Sequence, residues 1–457
     1  MSVIYRTSGV LLLLAVLSGC ASSPVQERTL DNGLKVVVRE DHRAPVVVSQ
    51  IWYRVGGIDE PEGLTGISHV LEHLMFKGTK LLKPGEFSRL IAAEGGRENA
   101  FTGRDYTAYF QTLEKSRLPV SFRLEAERMQ NLQFDEKEFQ KEAAVVREER
   151  RLRTEDKPES LTYEKFMATA YTTHPYKQPI VGWMADLKAH TLADMKQWYS
   201  NWYAPNNATL VVAGDVKPAE VFALAEKYYG SVPSRPVAKR SIKAEPKQTK
   251  ARRSTVKAPA QVPYYISGYH VPVMGQGKDN EAYALSVLAG VLDGGNSAWL
   301  SRELVRGSQI AASAGAGYSS MSRGPGMFLL DGTPANGKSI ADVEQALMAQ
   351  VDRLKNELVS ESELKRIKAQ VLAADVYGRD SVFYQAMRIG MMETIGLDYH
   401  LIDDYVDNIK KVTAKDLQAV ARKYLLANNQ TTTILDPQPM SSKPRRKASA
   451  GGRHARH

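Results

Sequence analysis

Polar and apolar positions along this chain form two kinds of pattern, short β-rich runs and longer helix-forming segments, and one arrangement of them occurs twice. In the first copy Thr191 and Asp194 open a helix, and an Asn-Asn turn then leads into the β-rich run 209–213. The second copy has Thr413 in the place of Thr191, and the run 431–435 follows the same turn. The repeat predicts an α+β fold built from two homologous halves.

Two further segments have the pattern of helices. The stretch from Thr65 to Gly78 contains one helix breaker, Gly66 in the first turn, and its two ends suit an N-cap and a C-terminal stop. The segment from Asp135 to Arg153 has helical composition. We therefore predict two helices, the first of them bounded by Thr65 and Gly78.

The first of these helices carries the pattern H-x-x-E-H. His69 and His73 are one turn apart, so both imidazoles can reach one metal ion from the same face, and Glu72 stands beside them. This order of residues is the inverzincin signature, in which the Glu acts on the water that attacks the substrate. A surface helix that merely carries two histidines is the alternative for so short a pattern.

A catalytic zinc site needs a third protein ligand and leaves the fourth position to water. On the second predicted helix Glu142 and Glu149 lie two turns apart along one face, whereas Glu148 points elsewhere. A charged helix of this kind is more often a solvated face. The residues alone therefore leave both interpretations open.

The run from His69 to His73, followed by Glu149 in the sequence E-A-A-V-V-R-E-E, resembles the pitrilysin/insulinase family of zinc metallopeptidases. The two-domain length is similar to that of half-size members such as the catalytic subunit of the mitochondrial processing peptidase. By this resemblance His69, His73 and Glu149 are zinc ligands. Glu72 is then the general base, and Glu142 supports the ligands from behind. The other stretches that carry the resemblance, over almost the whole mature chain, are 32–38, 57–61, 99–102, 174–176 and 202–207.

The same resemblance implies the architecture and the activity. Each half is expected to be an α/β sandwich domain, an antiparallel-rich sheet covered by helices, and the two domains form one half of a clamshell peptidase that holds one zinc ion. Closed chambers of this family admit short or unfolded peptides and exclude folded proteins. The implied activity is that of a zinc-dependent endopeptidase, and a non-catalytic or assembly subunit of the same fold is the alternative.

Residues 98–102 precede a β-rich run at 106–112 and resemble the substrate-binding edge strand of the family. Asn99, Ala100 and Phe101 are therefore candidate substrate-binding residues, at which an extended peptide adds as one more strand. A plain central strand is the alternative. Recognition through the peptide backbone implies loose specificity for substrate side chains.

Members of the family carry an Arg and a Tyr in the second half that hold the substrate near zinc, and this chain departs from that pattern. These two residues would fall on Val305 and Ala312 here, and neither side chain can do that work. A shifted register offers Arg306 and Tyr318, which are too far apart along the chain to match. We therefore expect a heterodimer with a related subunit that supplies the Arg and the Tyr, with a homodimer as fallback.

The chain begins with an apolar run at 10–17 that is too short for a membrane-spanning helix of about 20 residues. Residues 1–19 are predicted to be a signal peptide. The stretch from Leu17 to Cys20 resembles a bacterial lipobox, and Ala21 favours sorting to the outer membrane. The mature chain is thus expected to be a lipid-anchored, periplasm-facing protein of the bacterial cell envelope. An ordinary signal peptide with a chance cysteine is the alternative.

Cys20 is the only cysteine, which excludes an intrachain disulfide and a cysteine-based zinc site. The length of 457 residues suggests two domains of about 200 residues, which we expect at 20–234 and 258–437. The segment between them, 235–257, carries nine Lys and Arg against one Glu and is predicted to be a surface linker. The composition of 438–457 predicts a basic, disordered tail.

The formal net charge of +10 comes from these two basic segments, because the rest of the chain is net negative. The folded body therefore offers no basic face for nucleic acid, and we expect no nucleic-acid partner. The basic tail is better suited to the headgroups of anionic lipids.

Overall fold

The computed structural model describes residues 25–276 and 279–440. The predicted signal peptide, Cys20 and residues 441–457 of the predicted tail lie outside the described residues, whereas Gln438 belongs to a strand. No helix within the described residues combines the length and the apolar composition that crossing a membrane requires.

The strands of the described residues form a six-stranded sheet and a five-stranded sheet. The strands of the first sheet are β1 Val25–Thr29, β2 Lys35–Glu40, β3 Val46–Tyr53, β4 Arg97–Thr102, β5 Thr107–Glu114 and β6 Ala208–Gly214. Those of the second sheet are β7 Arg252–Pro259, β8 Tyr264–Val271, β9 Ala311–Tyr318, β10 Gly326–Pro334 and β11 Gln430–Gln438.

Helices cover both sheets. The helices of the first half are α1 Ile67–Leu74, α2 Glu86–Ala93, α3 Leu118–Asn131, α4 Glu136–Arg150, α5 Pro158–Ala170, α6 Met184–Ala189, α7 Leu192–Trp202 and α8 Pro218–Tyr229. Those of the second half are α9 Asp279–Asp293, α10 Ile340–Asn356, α11 Glu361–Arg379, α12 Val382–Ile395, α13 Leu401–Lys411 and α14 Ala414–Tyr424.

The two sheets share one topology. The first has the order β1-β2-β6-β3-β5-β4 and the second the order β7-β11-β8-β10-β9, and each contains one parallel pair, β2 with β6 and β7 with β11. The helices before β6 and β11 begin as the repeat predicted, because the hydroxyls of Thr191 and Thr413 accept the N–H of Asp194 and Asp416, each at 3.2 Å. The predicted α+β class with two homologous domains is confirmed.

Side chains of β3 alternate between two helix layers. Ile51 and Tyr53 pack against the helices of their own half, whereas Trp52 faces α12 of the other half. Gly390 of α12 lies so close that an added Cβ would be 2.1 Å from Trp52 Nε1. Helix α5 of the first half covers β7, β8 and β11 of the second sheet in the same manner. Each half therefore completes the core of the other.

Residues 235–251 contain no helix or strand, but they are anchored to the first half. The Glu245 carboxylate accepts the backbone N–H groups of residues 172–174 at 2.9 to 3.1 Å. The Arg240 guanidinium lies 3.3 Å from a carboxylate oxygen of Asp59. This part of the predicted linker is a strap held by specific contacts.

The predicted end of the linker at residue 257 was wrong. Arg252–Pro259 is strand β7, which pairs in parallel with β11. Within this basic stretch Val256 and Ala258 are buried and their neighbours are exposed, which is the alternation of a half-buried edge strand. The linker was predicted from its high content of Lys and Arg, and composition does not reveal that some of these residues lie on the outer face of a strand.

Candidate metal centre

Helix α1 is capped by a carboxylate that is distant in sequence. Gly66 stands at the N-cap with φ 82°, and the Glu60 carboxylate accepts the N–H of Gly66 at 2.7 Å and the N–H of Ser68 at 2.9 Å. Burial raises the pKa of Glu60 to about 7 against the effect of these donors. The prediction of Thr65 as N-cap was wrong, because its hydroxyl donates to Asp186 at 2.6 Å instead.

Helix α1 is about two turns long and ends at Leu74. The prediction of Gly78 as the C-terminal stop was wrong, since Met75 is the C-cap and Gly78, at φ 112°, lies beyond the end of the helix. The two turns are nevertheless enough to place His69, Glu72 and His73 within one helix.

Helix α4 brings Glu149 to the two histidines. Glu149 Oε2 lies 3.7 Å from His69 Nε2 and 3.6 Å from His73 Nε2, and one ligand atom from each residue lies within 4.8 Å of the others. Two ligands bound to one tetrahedral zinc at about 2.0 to 2.1 Å are about 3.4 Å apart. These separations are too long for good hydrogen bonds but suit three atoms that share one ion. The residues present therefore fit a zinc ion.

The His73 ring is oriented by a carboxylate at Nδ1, the nitrogen that does not face Glu149. Its Nδ1 lies 3.1 Å from Glu142 Oε2, and Lys77 Nζ lies 2.8 Å from the other oxygen of Glu142. Burial raises the pKa of Glu142, but His73 and Lys77 outweigh it and hold that pKa below its usual value. A carboxylate that accepts from Nδ1–H leaves the lone pair of Nε2 free for a metal.

The His69 ring differs from that of His73 in its hydrogen bonding. Its Nδ1 is buried without a hydrogen-bond partner among the described residues, and burial lowers the pKa of His69 to about 3. The imidazole is therefore neutral, which is the form that binds metal.

The neighbouring acids of α4 separate as the helix period requires. Glu149 is largely buried and pairs through its second oxygen with Arg153 at 2.6 Å. Glu148 is exposed and pairs with Arg151 at 2.9 Å on the outer surface. Only Glu149 shares the face of Glu142, as the sequence predicted.

Glu72 is fixed by a residue to which sequence analysis gave no role. Glu72 Oε2 accepts the hydroxyl of Thr102 at 2.5 Å, and burial raises the pKa of Glu72. Thr102 ends strand β4, within the stretch 99–102 that carries the family resemblance. The side-chain period of two along a β-strand could have indicated Thr102, because it places Thr102 on the same face as the candidate substrate-binding residue Ala100.

Strand β4 is an edge strand of the first sheet. Asn99 is exposed, and its side-chain oxygen accepts the N–H of Ala100 at 2.8 Å. Phe101 points to the opposite face, where its ring centroid is 5.4 Å from that of Trp52. The edge position leaves alternate N–H and C=O groups of β4 available to another strand.

The second half places the residues expected at the family's Arg and Tyr positions in or beside β9. Val305 packs on the core of its own half and Ala312 is exposed. Arg306 donates to the carbonyl of Asn296, and the Tyr318 hydroxyl donates to the carbonyl of Pro272 at 2.7 Å. Both side chains of the shifted register thus bond within their own half.

Comparison with known families gives two matches along the chain. Residues 35–183, which include the H-x-x-E-H helix and Glu149, match the model described as insulinase (peptidase family M16). Residues 189–371 match the model described as peptidase M16 inactive domain.

Relatives extend over nearly the whole chain. The zinc protease PqqE of Helicobacter pylori is 34% identical over 417 residues, which cover 90% of this chain and 92% of that protein. The uncharacterized zinc protease SCO5738 of Streptomyces coelicolor is 27% identical over 421 residues, with 90% of both chains covered.

Solved structures agree with these relatives. The crystal structure of a protease from Helicobacter pylori has a TM-score of 0.86 at 32% identity and covers 91% of this chain and all of that one. The periplasmic protease PqqL from Escherichia coli has a TM-score of 0.77 at 19% identity, and 91% of this chain covers 48% of that one. The chain with the His69, His73 and Glu149 cluster therefore belongs to the insulinase-like peptidase family M16.

Proposed function

We propose that this protein is a zinc-dependent endopeptidase that binds one zinc ion per chain through His69, His73 and Glu149. The observation that carries the proposal is the convergence of two imidazole nitrogens on one carboxylate oxygen at 3.6 and 3.7 Å, with Glu72 on the same helix. The names of the relatives as zinc proteases support it.

Zinc in this site would polarise the peptide carbonyl and lower the pKa of the attacking water. Glu72 then accepts the proton of that water on its carboxylate and delivers it to the leaving amine. The hydroxyl of Thr102 holds one carboxylate oxygen of Glu72, which leaves the other oxygen to take the proton. Glu142 keeps the Nδ1 proton on His73 throughout the cycle.

The substrate is proposed to be a short or unfolded peptide that adds to the edge of β4. The Ala100 N–H, now bonded to the side chain of Asn99, is turned away from β5 and is suited to donate a hydrogen bond to a substrate carbonyl oxygen. A peptide in this register places alternate side chains towards Thr102 and towards Phe101. Since the bonds involve the backbone, we expect broad sequence tolerance.

The mechanism is tested by Glu72→Gln. The amide cannot take a proton from water, so the variant should keep its zinc and lose cleavage of a flexible fluorogenic peptide by a factor of about 10² to 10⁴. Zinc content and turnover are measured on the same sample. Turnover comparable to that of the wild type contradicts the role of Glu72. Full zinc content in a wild-type protein that cleaves nothing, alone or with a partner, favours the non-catalytic subunit.

A closed chamber is proposed to require a second subunit. This chain covers about half of the structurally similar PqqL, so PqqL has room for a second unit of this length. Arg306 and Tyr318 bond within their own half, which supports a heterodimer in which a related subunit contributes the Arg and the Tyr. The test compares the purified chain alone with the chain mixed with a related subunit encoded nearby. Full activity of the isolated chain, as monomer or homodimer, would contradict the heterodimer.

We also propose the location of the protein at the bacterial outer membrane, facing the periplasm, through a lipid on Cys20. The support is the lipobox-like stretch 17–20 in a chain with one cysteine. Cys20→Ala should release the protein from the membrane fraction, and the acyl group should be visible by mass spectrometry of the wild type. A variant that still fractionates with membranes would attribute the association to the basic tail instead.

A further inference from the structure

A second recess lies far from the metal centre, where β2 of the first sheet meets α12 and α13 of the second half. In the sheet order β2 and β4 are four strand spacings apart, which is about 19 Å. The side chains of this recess that matter here are Arg39, Arg379, Arg388, Val25, Tyr384 and Tyr399. We call it the Arg39 recess.

The Arg39 recess is positively charged. Arg379 and Arg388 both pair with one buried carboxylate, that of Asp375. The distance from Arg379 Nε to Asp375 Oδ2 is 2.8 Å. Among the described residues no carboxylate lies within 4.0 Å of the Arg39 guanidinium, although Asp403 lines the same recess. Burial lowers the pKa of Arg39, and the charges of Arg379 and Arg388 act in the same direction, whereas the more distant carboxylates of Asp403 and Asp41 oppose the shift without cancelling it. A half-buried guanidinium without a close anion is costly to keep unless a ligand supplies one.

The inner space of the recess is small. It measures about 20 Å³, which is room for one group the size of a water molecule. A phosphate oxygen can enter it while the rest of the phosphate stays at the mouth. The guanidinium fork of Arg suits such an anion better than a Lys ammonium does.

Exposed apolar side chains lie beside the mouth. Val376 and Tyr377 at the end of α11 are 59% and 74% exposed, and Tyr384 of the recess is 36% exposed. Tyr384 is continuous with this end of α11, because a Cβ added to Gly378 would lie 2.5 Å from its ring. Tyrosines and an aliphatic side chain beside a basic pocket are typical of a surface that lies at the headgroup level of a bilayer.

The position of the recess agrees with such a surface. Val25 lines it and follows Cys20 by five residues, a reach of at most about 18 Å. A lipid on Cys20 would therefore bring this face of the protein close to the membrane. The substrate edge β4, on the opposite side of the sheet, would remain open to the periplasm.

We propose that the Arg39 recess binds the phosphate of an anionic phospholipid headgroup and so orients the protein on the membrane. The expected nearness to the bilayer rests on the proposed lipid anchor, whereas the charge and shape of the recess do not. The experiment therefore uses protein without an acyl group, so that failure of the anchor proposal and failure of the recess proposal give different results.

The test protein is the mature chain 20–457 with Cys20→Ala, which contains all the described helices and strands. Its partition onto vesicles of phosphatidylcholine with phosphatidylglycerol is compared with that onto vesicles of phosphatidylcholine alone. Arg39→Gln should weaken binding to the anionic vesicles about fivefold. The matched control is Arg89→Gln, which removes the same charge from an exposed position on α2 and should leave the partition unchanged.

Two further samples complete the test. Arg379→Gln, at the mouth of the recess, should repeat the loss if Arg39→Gln folds poorly, as judged by its thermal unfolding. Inorganic phosphate is titrated against the wild type as the second source of the same anion. Equal losses from Arg39→Gln and Arg89→Gln, or no loss from either recess variant, overturn the proposal. If phosphate raises the thermal stability of the wild type but the recess variants bind vesicles as the wild type does, the recess is a site for free anions. That result overturns the lipid assignment.

Discussion

Glu142→Gln removes a carboxylate that orients the zinc ligand His73 and leaves all three proposed zinc ligands in place. Both oxygens of the native carboxylate are occupied, one by His73 Nδ1–H at 3.1 Å and one by Lys77 at 2.8 Å. The amide has one oxygen for these two donors, and its NH₂ group must face the other donor. Lost partners of this kind weaken metal binding 10-fold to 100-fold, or about 1.4 to 2.8 kcal/mol.

The assay is competition for zinc with a chromophoric chelator. Glu72 is untouched, so excess zinc should restore most of the peptide turnover of Glu142→Gln. The matched control is Glu138→Gln, which removes the same charge one turn earlier on α4, where Glu138 pairs with Lys141 at 2.6 Å on the surface. A zinc affinity equal for the two variants would refute the assigned role of Glu142.

Two further predictions concern contacts between the halves and the strap at 235–251. Glu245→Ala removes a carboxylate whose pKa is lowered to about 2 by the N–H groups of residues 172–174, although burial acts in the opposite direction. It should lower the free energy of unfolding by about 1.5 to 3 kcal/mol and speed tryptic cleavage of the strap. In the native protein this contribution should be present above about pH 4.3 and disappear as the pH falls towards 2. Gly390→Ala places a Cβ against Trp52 and should cost about 1 to 3 kcal/mol in denaturant unfolding, whereas Gly317→Ala, with open space around it, should be near neutral.

Local patterns in the sequence were enough for the elements that carry the site. The spacing of His69, Glu72 and His73 depends only on the helix period, and so does the choice of Glu149 over Glu148. The structure places these residues as that period requires. The repeat of Thr191 and Thr413 also depends on local chemistry, since each capping box closes within four residues.

The parts that sequence analysis missed depend on contacts between distant segments. The N-cap of α1 was assigned to Thr65, whereas Glu60 satisfies the first N–H groups after the chain has turned back. Thr102 reaches Glu72 only because β4 is laid beside α1. The packing of Gly390 on Trp52 joins the two halves. No periodicity within one segment can indicate such contacts.

The central claim is that His69, His73 and Glu149 hold one catalytic zinc ion. The most direct test is the zinc content of the purified wild type, Glu149→Gln and Glu148→Gln, measured by atomic absorption after extensive dialysis. Glu148 is exposed and paired with Arg151, so its variant should retain one zinc per chain like the wild type, while Glu149→Gln should lose most of its metal. Equal zinc content in the two variants, or a wild type without zinc, would contradict this assignment.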